Sequence, residues 1–193
     1  MANTFDEALH EYRIDGVVVP SVTAVLHAVL PGWQADQWYL ERGRAMHHGC
    51  RLLDEGRLDW ATVSPEIVGR VKAWEKFRRE YNTPILAREQ PLYSSLYRFA
   101  GTVDAVFAEG VSEHLIVDLK SSYSPSAIVQ VAAYSMLWDL KGTSAGRIVE
   151  LRDDETYRCH CIDRPEMRGA KQTFLACLSV YSFMAKHNLL RKS

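Results

Sequence analysis

Asp118 and Lys120 lie two residues apart at the end of a mostly apolar run that begins at His114. Because side chains alternate between the two faces of a strand, both would project from one face, while the alternate apolar residues face a core. Burying a carboxylate and an ammonium on such a strand is unfavourable unless they pair with each other or bind something. The pattern therefore indicates either a structural ion pair or part of a catalytic site.

Asp104 supplies a second carboxylate and is the only charge in the preceding run of strand-forming residues, 101–107. A turn through Glu109 and Gly110 would bring Asp104 beside Asp118, because neighbouring strands lie about 4.8 Å apart. Two carboxylates at that distance repel each other unless one stays protonated or a cation lies between them. Since carboxylate oxygens are the ligands that Mg²⁺ and Mn²⁺ prefer, the two acids predict a divalent metal site.

His47 lies in a segment that we expect to be helical, residues 35–53. It shares one helical face with three other polar residues: Arg44, His48 and Arg51. A face with two arginines beside a metal ligand would suit a phosphate backbone. The alternative interpretation of these residues is an ordinary solvated helix face.

Gln130 and Tyr134 lie one turn apart on a second expected helix, residues 126–140. They fall outside its apolar stripe, so they either face a cleft above Asp118 and Lys120 or form an ordinary boundary pair. Ser121 and Ser122 follow Lys120 directly and would either bind a phosphate oxygen or cap the turn.

The elements that must position these residues alternate between helical and strand patterns. Tyr12 to Pro20 predicts a hairpin that turns at Asp15-Gly16, and Ser21 predicts the cap of a short helix to Leu30. Further helices are predicted near 35–53, from about Ser64, at 126–140 and from Pro165. Strands are predicted at 85–93, 97–107, 114–120, 147–151 and 156–161. This order predicts a mixed α/β fold.

Composition sets broad limits on function. The chain has 193 residues with 23 basic and 24 acidic side chains, so its net charge of −1 does not by itself indicate nucleic-acid binding. No apolar run approaches the roughly 20 residues that span a bilayer, and the polar N-terminus is unlike a signal peptide. We therefore expect a cytoplasmic protein without a membrane partner.

Three segments in this order, GTVDAVF, IVDLKSS and QVAAY, resemble the PD-(D/E)XK nuclease superfamily, in particular its RecB-like and lambda-exonuclease-like branches. The resemblance spans roughly Tyr12 to Tyr134. It implies that Asp104 and Asp118 are metal ligands and that Lys120 is catalytic, with Asp118 replacing the commoner glutamate. Gln130 and Tyr134 match the Q-x-x-x-Y motif of those branches.

The segment Arg42-Gly-Arg-Ala-Met-His47 resembles the R-G-x-x-x-H helix of the RecB-like branch. This implies that His47 is a further metal ligand, and that Arg42 and Arg44 lie near the substrate. Glu89 lies where the family often has another glutamate, which implies a second-tier or substrate role. The four cysteines, Cys50, Cys159, Cys161 and Cys177, do not match the spacing of the family's iron–sulfur subgroup well, so we expect thiols rather than a cluster.

The resemblance implies one nuclease domain over residues 1–193 with a restriction-endonuclease-like core. Residues 1–80 would be mainly helical, and residues 85–193 would hold the catalytic sheet and the C-terminal helix. The implied activity is Mg²⁺- or Mn²⁺-dependent hydrolysis of DNA, with an exonuclease favoured, in repair, recombination or phage DNA metabolism of a bacterial cell. A structure-selective or nicking endonuclease and a non-catalytic DNA-binding module remain alternatives. A homo-oligomer or a recombination partner protein is also compatible with the resemblance.

Overall fold

The computed structural model describes residues 3–30, 37–109, 113–139 and 144–190. Its strands are β1 Thr4–Asp6, β2 Glu11–Ile14, β3 Val17–Val19, β4 Ile85–Ser94, β5 Phe99–Glu109, β6 Glu113–Lys120, β7 Ala145–Leu151 and β8 Tyr157–Ile162. Its helices are α1 Val22–Val29, α2 Gln37–Asp54, α3 Val68–Glu80, α4 Ser126–Trp138 and α5 Arg164–Lys186, with a 3₁₀ turn at Trp60–Thr62.

The central sheet has five strands in the order β4-β5-β6-β7-β8. All neighbours in it are antiparallel except β6 and β7, which are parallel. A parallel pair needs a crossover connection, and α4 supplies it between β6 and β7. This crossover places α4 directly after the end of the strand that carries Asp118 and Lys120.

Helices cover both faces of the central sheet. On one face, α1, α4 and α5 pack over a cluster that includes Val106, Ile116 and Ile148. On the other face, α2 and α3 pack over residues such as Val117, Leu119 and Val149. The expected fold class, a mixed central sheet flanked by helices, is therefore confirmed.

The N-terminal segment follows its sequence signals closely. Asp15 and Gly16 both adopt positive φ angles, 51° and 78°, as a two-residue hairpin turn requires. β1 adds a third strand to this hairpin. The Ser21 hydroxyl accepts a hydrogen bond from the backbone amide of Ala24 and caps α1 as predicted.

The start of α3 differs from its prediction. The sequence favours a helix from about Ser64, whereas α3 begins at Val68. The Ser64 carbonyl accepts from the amides of Ile67 and Val68, so residues 64–67 form a tight turn that precedes the helix. None of the described helices is long and apolar enough to cross a membrane.

Candidate active site

The site begins where β5 and β6 stop pairing through their backbones. The regular register runs from Glu109 opposite Glu113 to Ala105 opposite Val117. One residue further, the Asp104 side chain continues the pairing, because its Oδ2 atom accepts from the amide of Leu119 at 2.7 Å. The buried Asp104 carboxylate is thereby fixed across the sheet, with its other oxygen available to a ligand.

Three ligand atoms converge beside this point. His47 Nδ1 lies 3.5 Å from Asp104 Oδ1 and 3.6 Å from Glu89 Oε1. All three ligand atoms lie within 4.8 Å of one another, and within the described ranges this is the only group of three or more potential metal ligands. Glu89 Oε1 is buried without a hydrogen-bond partner. One imidazole nitrogen and two carboxylate oxygens, one of them lacking a partner, fit a divalent cation such as Mn²⁺ or Mg²⁺.

Glu89 reaches this group through an unusual backbone conformation. Its φ angle is 45°, in the left-handed region that non-glycine residues seldom adopt. Its neighbours Arg88 and Gln90 pair with Ala105 and Val103 on either side of Asp104. Sequence reasoning gave Glu89 only a second-tier role, since no local pattern indicates the irregular backbone.

Asp118 and Lys120 form an ion pair next to the three ligands. Asp118 is fully buried, and its Oδ2 atom lies 2.8 Å from the Lys120 ammonium, while its Oδ1 atom has no hydrogen-bond partner. Burial raises the pKa of Asp118 to about 6, with Lys120 acting in the opposite direction. Burial opposes the charge on Lys120 as well, but the Asp118 and Asp104 carboxylates outweigh it and raise its pKa. Lys120 therefore keeps its proton at neutral pH.

The expected ligand set and the converging set overlap only in part. The sequence names His47, Asp104 and Asp118 as ligands, whereas the converging atoms belong to His47, Glu89 and Asp104. Asp104 and His47 lie close enough to Asp118 to affect the pKa of Asp118. The Asp118 carboxylate, however, forms an ion pair with Lys120. Burial opposes protonation of His47, and Asp104 and Glu89 together outweigh it and raise the pKa of the imidazole.

A buried polar network joins the strand of Glu89 and the backbone of Asp104 to α2 and α3. The Arg88 guanidinium donates through Nη1 to the carbonyl oxygen of Asp104 at 2.9 Å. Its Nε atom lies 3.0 Å from Asp54 Oδ2 at the end of α2, and the guanidinium lies over the Trp74 ring. Asp54 also accepts from Trp74 Nε1 and from Arg78 Nε. This network ties the backbone of a candidate ligand to α2 and α3.

Gln130 and Tyr134 lie on α4 and contact each other, but Tyr134 is buried in the core cluster rather than outside the apolar stripe of the helix as predicted. The Gln130 amide donates to the Tyr134 hydroxyl at 2.9 Å. Burial, followed by the charges of Asp118 and Asp104, raises the pKa of Tyr134 well above its ordinary value, so the phenol keeps its proton. Tyr12 on β2 hydrogen-bonds Thr102 on β5 at 2.8 Å, beside the same strand end.

The other predicted residues lie further out. The Arg42 guanidinium stacks over the Trp38 ring at 4.5 Å, and Arg44 is exposed on α2. Ser121 is half-buried and Ser122 exposed, directly after Lys120. Thus the structure brings one group of residues to one end of the sheet: His47, Glu89, Asp104, Asp118, Lys120, Gln130 and Tyr134.

The four cysteines are free thiols and do not lie together. Cys50 is buried with α2 on one face of the sheet, and Cys177 is buried with α5 on the other. Cys159 and Cys161 lie on the edge strand β8.

No protein-family model matches the sequence, and comparison with curated proteins likewise gives no match. Among solved structures, the chain is similar to an alkaline exonuclease from Laribacter hongkongensis, with 13% identity, a TM-score of 0.42, and coverage of 87% of this chain and 91% of the other. The same enzyme in complex with dAMP gives 15% identity, a TM-score of 0.43, and coverage of 88% and 92%. Because these scores are low, the chemistry is inferred below from the residues of this chain.

Proposed function

We propose that this protein is a metal-dependent DNA nuclease of the PD-(D/E)XK type. The observation that supports it most directly is the convergence of His47, Glu89 and Asp104 beside a buried Asp118–Lys120 pair. Hydrolysis of a phosphodiester needs an activated water, stabilisation of charge on the phosphate, and help for the leaving oxygen. A metal ion at this site could activate the water and stabilise charge on the phosphate. The neighbouring protonated lysine could donate a hydrogen bond to the reacting oxygens.

His47, Glu89 and Asp104 would hold the cation, with Asp118 as a further ligand when Lys120 releases it. A bound Mg²⁺ or Mn²⁺ would lower the pKa of a coordinated water and polarise the phosphate. The mixed set of nitrogen and oxygen ligands makes Mn²⁺ at least as suitable as Mg²⁺.

Lys120 would act on the reacting atoms directly. Its ammonium, kept protonated by the neighbouring carboxylates, can donate to the attacking water or to a phosphate oxygen as negative charge develops. Tyr134 receives its hydrogen bond from Gln130 and retains its own O–H, which can donate to the bound strand. The remaining candidates would contact backbone phosphates: Ser121 and Ser122, which follow Lys120, and Arg42 and Arg44, which precede His47 on α2.

DNA as substrate and cleavage from ends rest on the sequence resemblance. The Q-x-x-x-Y and R-G-x-x-x-H elements are similar to those of end-processing relatives, so we favour an exonuclease in DNA repair, recombination or phage DNA metabolism. We extend the same proposal to the whole chain as a single nuclease domain.

One gel tests the proposal. End-labelled linear DNA and closed circular DNA are incubated with Mg²⁺, Mn²⁺ or chelator, using wild type and Lys120→Ala. We expect metal-dependent loss of the linear DNA, an intact circle, and no cleavage by the variant. Cleavage of the circle would instead identify an endonuclease. Metal-independent cleavage, or none under any condition while DNA is bound, would contradict a metal-dependent nuclease.

A further inference from the structure

A stacked pair of rings lies at the edge of the sheet beyond Lys120. Tyr123, in the loop between β6 and α4, stacks on His160 of β8 with ring centroids 4.1 Å apart and an interplanar angle of 14°. His160 is the inner ring, and its Nε2 atom lies 3.2 Å from Glu150 Oε2 on β7. Tyr123 is the outer ring and exposes 37% of its surface. The inner ring is thus fixed by a carboxylate, and the outer ring is available to a ligand.

The strand register places this pair two strands from Asp118 and three strands from the strand that carries Asp104. Asp118 pairs with Ile148, and Ile148 pairs with His160, so two strand spacings, about 10 Å, separate Asp118 from His160. Two residues further along the same strands, Lys120 pairs with Glu150. Ile148 and Ile162 pack under α4 and α5, which puts His160 on the face of the sheet that carries Asp118 and Lys120.

Two arginines lie near Glu150, the carboxylate that holds the inner ring. Arg158 pairs with Glu150 in register and is exposed, and Arg152 Nη2 lies 3.8 Å from Glu150 Oε2. Glu150 is thereby flanked by His160 and Arg152, which reduces its repulsion of a phosphate. An exposed aromatic ring beside arginines is the combination that binds single-stranded nucleic acid, since a base stacks on the ring and its phosphates contact the cations.

We propose that Tyr123, supported by His160, is a stacking platform for a nucleobase of the same strand as the phosphate at the candidate metal centre, a few nucleotides from that phosphate. This inference rests on the proposed function and adds a contact to a base rather than to the backbone. Because every base has an aromatic face, the platform would bind without sequence preference and would hold unpaired nucleotides.

The test compares an intact strand with one that lacks bases. Fluorescence anisotropy measures binding of a labelled single-stranded oligonucleotide, and of the same strand made with abasic sites, in Ca²⁺ and separately in chelator. The variants are Tyr123→Ala, Tyr123→Trp and the matched control Tyr97→Ala, which removes a comparably exposed tyrosine between β4 and β5. Thermal unfolding checks that each variant is folded.

We expect Tyr123→Ala to weaken binding of the intact strand about tenfold and to leave binding of the abasic strand nearly unchanged. Tyr123→Trp should retain affinity for the intact strand, and Tyr97→Ala should behave as wild type. An equal loss for both strands, no loss for either, or no binding of DNA by wild type would overturn the platform. If Lys120→Ala cleaves as wild type while the base-dependent loss persists, the proposed chemistry fails and the platform stands.

Discussion

The Asp104 carboxylate accepts a hydrogen bond from the amide of Leu119 at the point where the backbones of β5 and β6 separate. Through this hydrogen bond, the side chain of a candidate metal ligand on β5 takes part in the pairing with β6. It orients the second carboxylate oxygen toward His47 and Glu89. We therefore expect two separable roles for Asp104, one in folding and one in metal binding.

Two substitutions of Asp104 should separate these roles. Asp104→Asn keeps an oxygen for the Leu119 amide but loses the charge, so Mn²⁺ affinity should fall at least about tenfold with a small change in stability. Asp104→Ala also leaves the buried amide of Leu119 without a partner. This should lower the free energy of unfolding by about a further 1–3 kcal/mol. Calorimetric titration with Mn²⁺ and urea unfolding measure the two quantities. Equal stability of the two variants would contradict a structural role for this hydrogen bond.

The identity of the third ligand can be tested by comparing Glu89→Gln with Asp118→Asn. Because Glu89 Oε1 lies in the converging group and lacks a partner, Glu89→Gln should weaken Mn²⁺ binding more than Asp118→Asn does. Glu75→Gln on the exposed side of α3 is the matched control and should leave affinity unchanged. The reverse order, with Asp118→Asn the more damaging, would favour the ligand set expected from the sequence.

The ion pair between Arg88 and Asp54 should contribute strongly to stability. Both side chains are nearly buried, at 10% and 6% exposure, so Arg88→Met leaves Asp54 with less compensation for its charge. We expect a loss of about 3 kcal/mol in the free energy of unfolding, measured in urea. Lys72→Met, which breaks the exposed pair with Glu155, is the control and should cost less than about 1 kcal/mol. Similar losses for both variants would contradict the importance of burial here.

Stability of the metal-free protein should depend on pH through Asp118. Burial raises its pKa to about 6, whereas the unfolded value is about 3.9. Between these values the folded protein binds more protons, so this group's contribution to stability falls as pH rises from about 4 to about 6. The pKa of His47 is also raised, so its contribution to stability should decline as the pH rises above about 6.5.

Urea unfolding in the presence of chelator, from about pH 4.5 to about pH 7.5, measures how stability depends on pH. The difference between wild type and Asp118→Asn isolates Asp118 from the other carboxylates. We expect that difference to change between about pH 4 and 6 and to be flat above it. Parallel profiles for the two proteins would show that burial does not hold the Asp118 proton.

Local patterns were sufficient to predict much of the end of the sheet that holds the candidate site. Strand alternation predicts that Asp118 and Lys120 share a face, and the turn after Glu109 predicts that Asp104 lies beside Asp118. The structure has both arrangements, because each depends on neighbouring residues and on one hairpin. The cap at Ser21 and the Asp15-Gly16 turn are predicted for the same reason.

Contacts that depend on tertiary packing could not be predicted in this way. Glu89 enters the ligand group through a positive φ angle within a strand, and nothing in its sequence neighbourhood indicates that conformation. Arg88 meets Asp54 and Trp74 only because α2 and α3 pack on the same face of the sheet. The stack of Tyr123 on His160 likewise requires the crossover that places β8 two strands from β6.

The central claim is that Lys120 acts on the scissile phosphodiester beside a metal centre. The most direct measurement is the single-turnover rate of cleavage of end-labelled linear DNA in Mn²⁺ by wild type, Lys120→Ala and the surface control Lys72→Ala, with DNA affinity measured in parallel. We expect Lys120→Ala to bind DNA nearly as wild type and to cleave it at least about 100-fold more slowly, while Lys72→Ala cleaves normally. Cleavage by Lys120→Ala at the wild-type rate would contradict the account.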